Sequence, residues 1–286
     1  MSVPWYLKIA IKIALSRLPV PYQMWRRVGI FRAGGMTGPD YALRAFRYHV
    51  DKCGLSPPQN GFTVLELGPG DSLLTALFAR AWGASRTILI DTAPLASRDV
   101  TVFHRAIDLL EREAPSEAAR VSEVKRMDRI EDVLAALNAE YLTDGLASLR
   151  SIPTASVDLV VSQAVLEHIR RHEFAETLKS LRRVTRPGGA GSHNVDLHDH
   201  LADALNNLRF SERVWESEFF ARSGFYTNRI LFSEMLKIFA EAGFTVEVRG
   251  IARWPTLPTP RHSLIAQYRD LPDEELRTRW FGVVLR

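Results

Sequence analysis

The sequence predicts an α/β fold built on a mostly parallel sheet, and three consecutive stretches predict it. FTVLELGPGD, residues 62–71, is a short apolar strand that runs into a glycine turn. SLLTALFARAWGA follows with helix composition and ends near Gly83. RTILID then reads as a second strand with Asp91 at its carboxyl end. Strand, tight turn, helix and strand in this order open a parallel α/β unit. The 286 residues suffice for one large domain with attachments, and an apolar share of 46% against 24% charged is that of an ordinary globular chain.

The remaining elements follow in order. Residues 1–58 read as an amino-terminal helical extension or lid. WYLKIAIKIAL places Trp5, Ile9, Ile13 and Ser16 at helical spacing, with Lys8 and Lys12 one turn apart. That run is too short and too charged to span a bilayer. Its two readings are a helix packed on the domain or closing over its pocket, and a peripheral membrane contact through residues 3–18. Gly34, Gly35, Gly38 and Pro39 punctuate the chain before the helical YALRAFRYHV, and Pro57 and Pro58 mark a boundary. Residues 59–286 form the main domain. Residues 93–140 carry two helices, and YLTDG a short strand with its turn. SVDLVVSQAVLEHI gives a strand from Val157 to Ser162, and a helix from about Glu173 to Thr185 ends at PGG before the strand AGSHNVDL. The aromatic, polar stretch 199–230 breaks the alternation and suits an inserted cap. A helix near 232–242 precedes FTVEVRG and WFGVVLR, an antiparallel pair around the Pro-rich loop 255–260. The expected architecture is Rossmann-like: a mostly parallel sheet with an antiparallel carboxyl-terminal edge, amino-terminal helices and an inserted helical cap.

Charge and cysteine usage remove several function classes. A net charge of +4 is too mild to imply a nucleic-acid partner. The single Cys53 forms neither an intrachain disulfide nor a thiolate metal cluster. Lys8 and Lys12 interrupt any secretory apolar core, so the expected location is the cytoplasm or the inner face of the membrane.

VLELGPGDSLL, residues 64–74, carries the strongest chemical signal. Gly68 and Gly70 let the backbone turn sharply and approach a ligand without a Cβ in the way. Asp91 stands where an acid accepts hydrogen bonds from ribose hydroxyls. A dinucleotide fingerprint wants glycine where Leu73 stands. Glu66 is awkward beside a pyrophosphate and favourable beside an ammonium group. S-adenosylmethionine, which carries an ammonium and a sulfonium, therefore fits better than NAD.

With these residues in place, the chain resembles the class I S-adenosylmethionine-dependent methyltransferases, over roughly residues 60–195. The resemblance implies that Glu66 and the Gly68–Pro69–Gly70 turn border the methionine part of the cofactor and that Asp91 holds the ribose diol. It further implies that Asp144 in YLTDG lies near the adenine amino group, and that Ser162, Gln163 and Leu166 line the cofactor with Glu167 and His168 at the rim. RRVTRPGGA matches the family's helix–turn–fifth-strand signature. SQAV replaces the Asn-Pro-Pro-aromatic motif of many DNA amino-methyltransferases, which turns the reading from nucleic acid toward a small-molecule or glycan acceptor, methylated at oxygen. The alternatives are an inactive S-adenosylmethionine-binding or interaction protein and an NAD-dependent oxidoreductase.

An oxygen acceptor often needs a base, and SHNVDLHDH offers His198, Asp199 and His200 beyond the fifth strand. His193, inside the strand, reads equally as a packed residue. A metal ion is left out, because His198-Asp199-His200 lacks a diagnostic ligand spacing. WESEFFARSGFYTNRI supplies the substrate-wall candidates Phe220, Phe225 and Tyr226, with Asn228 and Arg229 for polar groups.

Overall fold

The computed structural model describes residues 4–15, 17, 38–54 and 61–286. Seven strands form one sheet: β1 (Phe62–Leu67), β2 (Ala84–Ile90), β3 (Ala139–Leu142), β4 (Val157–Gln163), β5 (Thr185–Asp196), β6 (Val246–Arg253) and β7 (Thr278–Leu285). Their order is β3-β2-β1-β4-β5-β7-β6. The first five are parallel, and β7 inserts antiparallel between β5 and β6. The predicted Rossmann-like sheet and its antiparallel carboxyl-terminal edge are therefore present. Strand order reverses between β1 and β4, the point where open α/β sheets leave a crevice at the carboxyl ends of their strands.

The helices used below are α1 (Trp5–Leu15), α2 (Pro39–Cys53), α3 (Leu74–Ala81), α4 (Thr101–Glu113), α5 (Pro115–Ala119), α6 (Ile130–Ala136), α7 (Leu146–Ser151), α8 (Arg171–Val184) and α9 (Phe232–Glu241). In α2, Pro39 pre-sets the first turn and Gly54, at φ 71°, closes the last. Its apolar stripe of Ala42, Leu43, Phe46, Val50 and Cys53 packs with α3 and α4 on one face of the sheet. Phe174, Leu178, Leu181 and Val184 of α8 bury the other face together with Met235 and Phe239 of α9. Central strands covered on both sides read as mainly apolar runs, which is why FTVLEL and VDLVVS carry only Thr63 and Glu66, and Asp158 and Ser162, among apolar residues.

Residues 199–230 fold as turns and short helices around Trp215, which is fully buried and donates its indole N–H to the Thr227 carbonyl at 2.7 Å. Ile9 of α1 packs into the same cluster as Leu201, Trp215, Phe225 and Tyr226, and Lys8 Nζ donates to the Leu201 carbonyl at 2.7 Å. No described helix is long and apolar enough to cross a membrane.

Candidate active site

The glycine turn is built against its neighbours. Gly68 adopts φ +70°, and a Cβ there would stand 2.6 Å from both methyls of Val165, so only glycine lets the β1 turn lie on the loop after β4. Gly70 N–H donates to Asp91 Oδ2 at 2.9 Å and Thr92 N–H to Oδ1 at 2.7 Å. A carboxylate has about four lone-pair sites, so Asp91 keeps acceptor capacity for a diol. Gly145 N–H donates to the Asp91 carbonyl at 2.8 Å, bringing the β3 loop and the exposed Asp144 to the same edge. Glu66 is buried at the end of β1 and accepts from Thr75 Oγ1 at 3.0 Å, while its Oε2 has no partner among the described residues. Burial first, and then the charge of Asp91, push its carboxyl up to about 8. A buried carboxyl with an unpaired oxygen next to a second carboxylate is a site for a cation. The ammonium of S-adenosylmethionine supplies one, so these residues fit that cofactor. A cofactor's pyrophosphate would bring negative charge to both carboxylates.

The other sequence-derived residues divide. Pro69 lies in the turn, its carbonyl accepting from Ser72 N–H at 3.3 Å. Leu166 is fully buried behind Val165, in the core under α8. Ser162 and Gln163 point to opposite faces of β4. Ser162 Oγ pairs with His193 Nδ1 at 2.8 Å in the interior, whereas Gln163 Oε1 accepts from Asn194 Nδ2 at 2.8 Å, with His49 close by. His193 is thus a packed residue, its pKa lowered to about 3 by burial and then by His49.

At the reacting end, Asp199 serves its own loop. Its carboxylate accepts from the N–H groups of Leu201, Ala202 and Asn206 and from Asn206 Nδ2, at 2.6–2.9 Å. Asp196 and Asp203, not Asp199, flank His198, at 3.6 Å from Nε2 and 3.5 Å from Nδ1, and Nδ1 also lies 3.0 Å from the Asp199 carbonyl. Burial works against a charged His198, but the pairing with Asp196 outweighs it, and its pKa lies above the usual value. Both ring nitrogens therefore face acceptors, the arrangement of an imidazolium and not of a free base. His200 differs: its Nε2 has no partner among the described residues, and burial followed by His168 and His198 lowers its pKa to about 3.

In the aromatic segment, Phe225, Tyr226, Asn228 and Arg229 are at most 5% exposed. Asn228 Nδ2 donates to the Leu166 and Ile169 carbonyls, and Arg229 donates to the Phe210 carbonyl at 2.7 Å. Tyr226 Oη donates to Glu216 at 2.8 Å, and Phe220 packs on Trp215. These side chains hold the segment to the β4 loop and are already engaged by the fold; a pattern of aromatics cannot separate such a core from a ligand wall.

Sequence reasoning did not find the meeting of Glu167 and His168, after β4, with His200, after β5. Each residue offers one ligand atom, and these atoms lie within 4.8 Å of one another. Thirty-two residues separate His168 from His200, and no spacing rule spans that distance. Clefts of about 410 Å³ near Tyr268 and 480 Å³ near Tyr48 and Arg286 contain none of these residues.

Comparison with known proteins bears on this arrangement. Residues 65–191 match the family described as a methyltransferase domain. Among solved structures, the chain is similar to an S-adenosylmethionine-dependent methyltransferase from Mesorhizobium loti at 16% identity, covering 86% of this chain and 95% of that one with a TM-score of 0.42. One from Archaeoglobus fulgidus matches at 11% identity, over 93% and 99% of the two chains, with a TM-score of 0.47. The phosphoethanolamine N-methyltransferase 2 of Haemonchus contortus matches at 13%, over 86% and 57%, with a TM-score of 0.43. No curated protein matches. Sheet order, glycine turn and the matched domain together define a class I S-adenosylmethionine-dependent methyltransferase fold. Glu66, the Gly68 turn and Asp91 fit S-adenosylmethionine as the cofactor of such a fold.

Proposed function

We propose that this chain methylates an oxygen of a small-molecule or glycan acceptor that enters at the carboxyl ends of β4 and β5. The observation that supports the reading is the pair of buried atoms there, Glu167 Oε2 and His200 Nε2, that have no partner among the described residues, next to the loop where Val165 packs on Gly68. Bound S-adenosylmethionine supplies an electrophilic methyl on its sulfonium. Glu66 would face the ammonium, Asp91 would accept from the ribose, and the Gly68 turn would border the methionine end. In the transfer the acceptor oxygen would gain the methyl as the carbon–sulfur bond breaks toward sulfur, with Glu167 Oε2 and His200 Nε2 orienting the hydroxyl and its proton leaving to solvent. Alignment of the two reactants supplies much of the rate, and relief of the acceptor proton the remainder. His198, paired with Asp196, fixes the loop that carries His200.

The test is a screen of hydroxylated small molecules and sugars with methyl-labelled S-adenosylmethionine, followed by His200→Ala on the best acceptor. Turnover should fall by roughly 100-fold or more, with cofactor affinity changed by only a few fold. Undiminished turnover in that variant contradicts the assignment of the acceptor side to this cluster.

A further inference from the structure

We propose that Glu167, His168 and His200 form a binding site for one divalent transition-metal ion, placed to hold the acceptor. The inference deepens the reading of the acceptor side and rests on it for the ion's role, though not for the ion's binding.

The three side chains carry the marks of a ligand set. His168 Nδ1 lies 2.7 Å from the Tyr226 carbonyl and can only donate there, which fixes the tautomer and leaves the Nε2 lone pair for a ligand. Glu167 is 1% exposed; its Oε1 accepts from Asp196 N–H at 3.2 Å, and its Oε2 has no partner among the described residues. His200 Nε2 is buried and equally unpartnered. The imidazoles of His168 and His200 stack at 4.8 Å between centroids, and His198 stands edge-on to His200 at 5.1 Å. Two buried acceptor atoms in one cluster, without partners among the described residues, can share one ion.

Among the charged neighbours of this cluster, the Asp196 carboxylate favours a cation and Lys12 of α1 opposes one.

Ligand atoms about 2 Å from a common ion lie roughly 3.3 Å apart, so a trio within 4.8 Å must close by up to about 1.5 Å. Two imidazoles and one carboxylate select zinc, manganese, iron, cobalt or nickel over magnesium and calcium. Three protein ligands leave positions open. The acceptor class that fills them is a molecule with two adjacent oxygens, a vicinal diol or a hydroxy-carbonyl, and Lewis-acid contact lowers the pKa of the hydroxyl to be methylated.

The experiment titrates chelator-treated full-length protein with Zn²⁺ by calorimetry and with Co²⁺ by visible absorption, without S-adenosylmethionine or acceptor. One ion per chain is expected, with Co²⁺ bands of nitrogen and oxygen coordination. Affinity should drop on the order of 100-fold in both Glu167→Gln and His200→Ala. Should Glu167→Gln fail to fold by circular dichroism, His168→Gln, at a partly exposed ring, gives the same reading. Absence of binding, or equal affinity in the folded variants, overturns the site. Because neither cofactor nor acceptor is present, that failure stays distinct from a failure of methyl transfer.

Discussion

The two halves of the crevice are built on different principles. On the β1–β2 side the site is made by backbone: a glycine turn, three N–H groups around Asp91 and a buried acid at a strand end. On the β4–β5 side it is made by side chains from segments far apart in sequence, held by α1 and by the cluster around Trp215. Backbone sites follow from local sequence, whereas side-chain sites depend on how distant segments pack. Substitutions can separate the two halves.

The largest effect is expected at Trp215, which is fully buried against Phe210, Phe220, Phe225 and Tyr226. Trp215→Ala should cost about 3–5 kcal/mol in denaturant melts. If the halves are independent, S-adenosylmethionine affinity in the folded fraction should stay within a few fold. Gly68→Ala comes next. It combines a left-handed backbone, worth about 1–2 kcal/mol, with a Cβ 2.6 Å from Val165, and should weaken the cofactor on the order of 100-fold by titration. A few-fold change would mean that the β4 loop yields freely and that the halves are less tightly joined. Asp91→Ala removes a charged acceptor and should weaken the cofactor by roughly 10- to 100-fold.

The smallest effect is a pH dependence. Glu66 has its carboxyl raised from 4.5 to about 8 in the free protein. A carboxyl that binds its proton more tightly when folded gives a stability contribution that is complete below about 4.5 and lost as pH rises toward 8. An ammonium partner favours the carboxylate, so cofactor binding near neutral pH should release about one proton and tighten as pH rises from about 5 to 7.5. Calorimetry in buffers of different ionisation enthalpy measures the release, and Glu66→Gln should abolish it. Unchanged release in that variant assigns the proton elsewhere.

The same contrast explains what the sequence showed. β1, its turn and β2 were legible because apolar runs, Gly68, Gly70 and Asp91 act within thirty residues. The antiparallel edge was legible because WFGVVLR and FTVEVRG alternate or run apolar around a Pro-rich loop. The burial of Phe225, Tyr226, Asn228 and Arg229 was not legible, since residue type does not say whether an aromatic or an arginine is engaged by the fold. The reach of α1 to Leu201 and the convergence of His168 with His200 could not be read, because each is a tertiary contact with no local signature. His198 and Asp199 were conspicuous in SHNVDLHDH, but hydrogen bonds assign Asp199 to its turn and pair His198 with Asp196.

The most direct test of the account is calorimetric titration of the purified protein with S-adenosylmethionine, repeated with Asp91→Ala and with NADH in place of the methyl donor. The account predicts one-to-one micromolar binding of S-adenosylmethionine, weakened by Asp91→Ala, and no binding of NADH. Failure of the folded, ligand-free protein to bind the methyl donor, or binding untouched by Asp91→Ala, would contradict it.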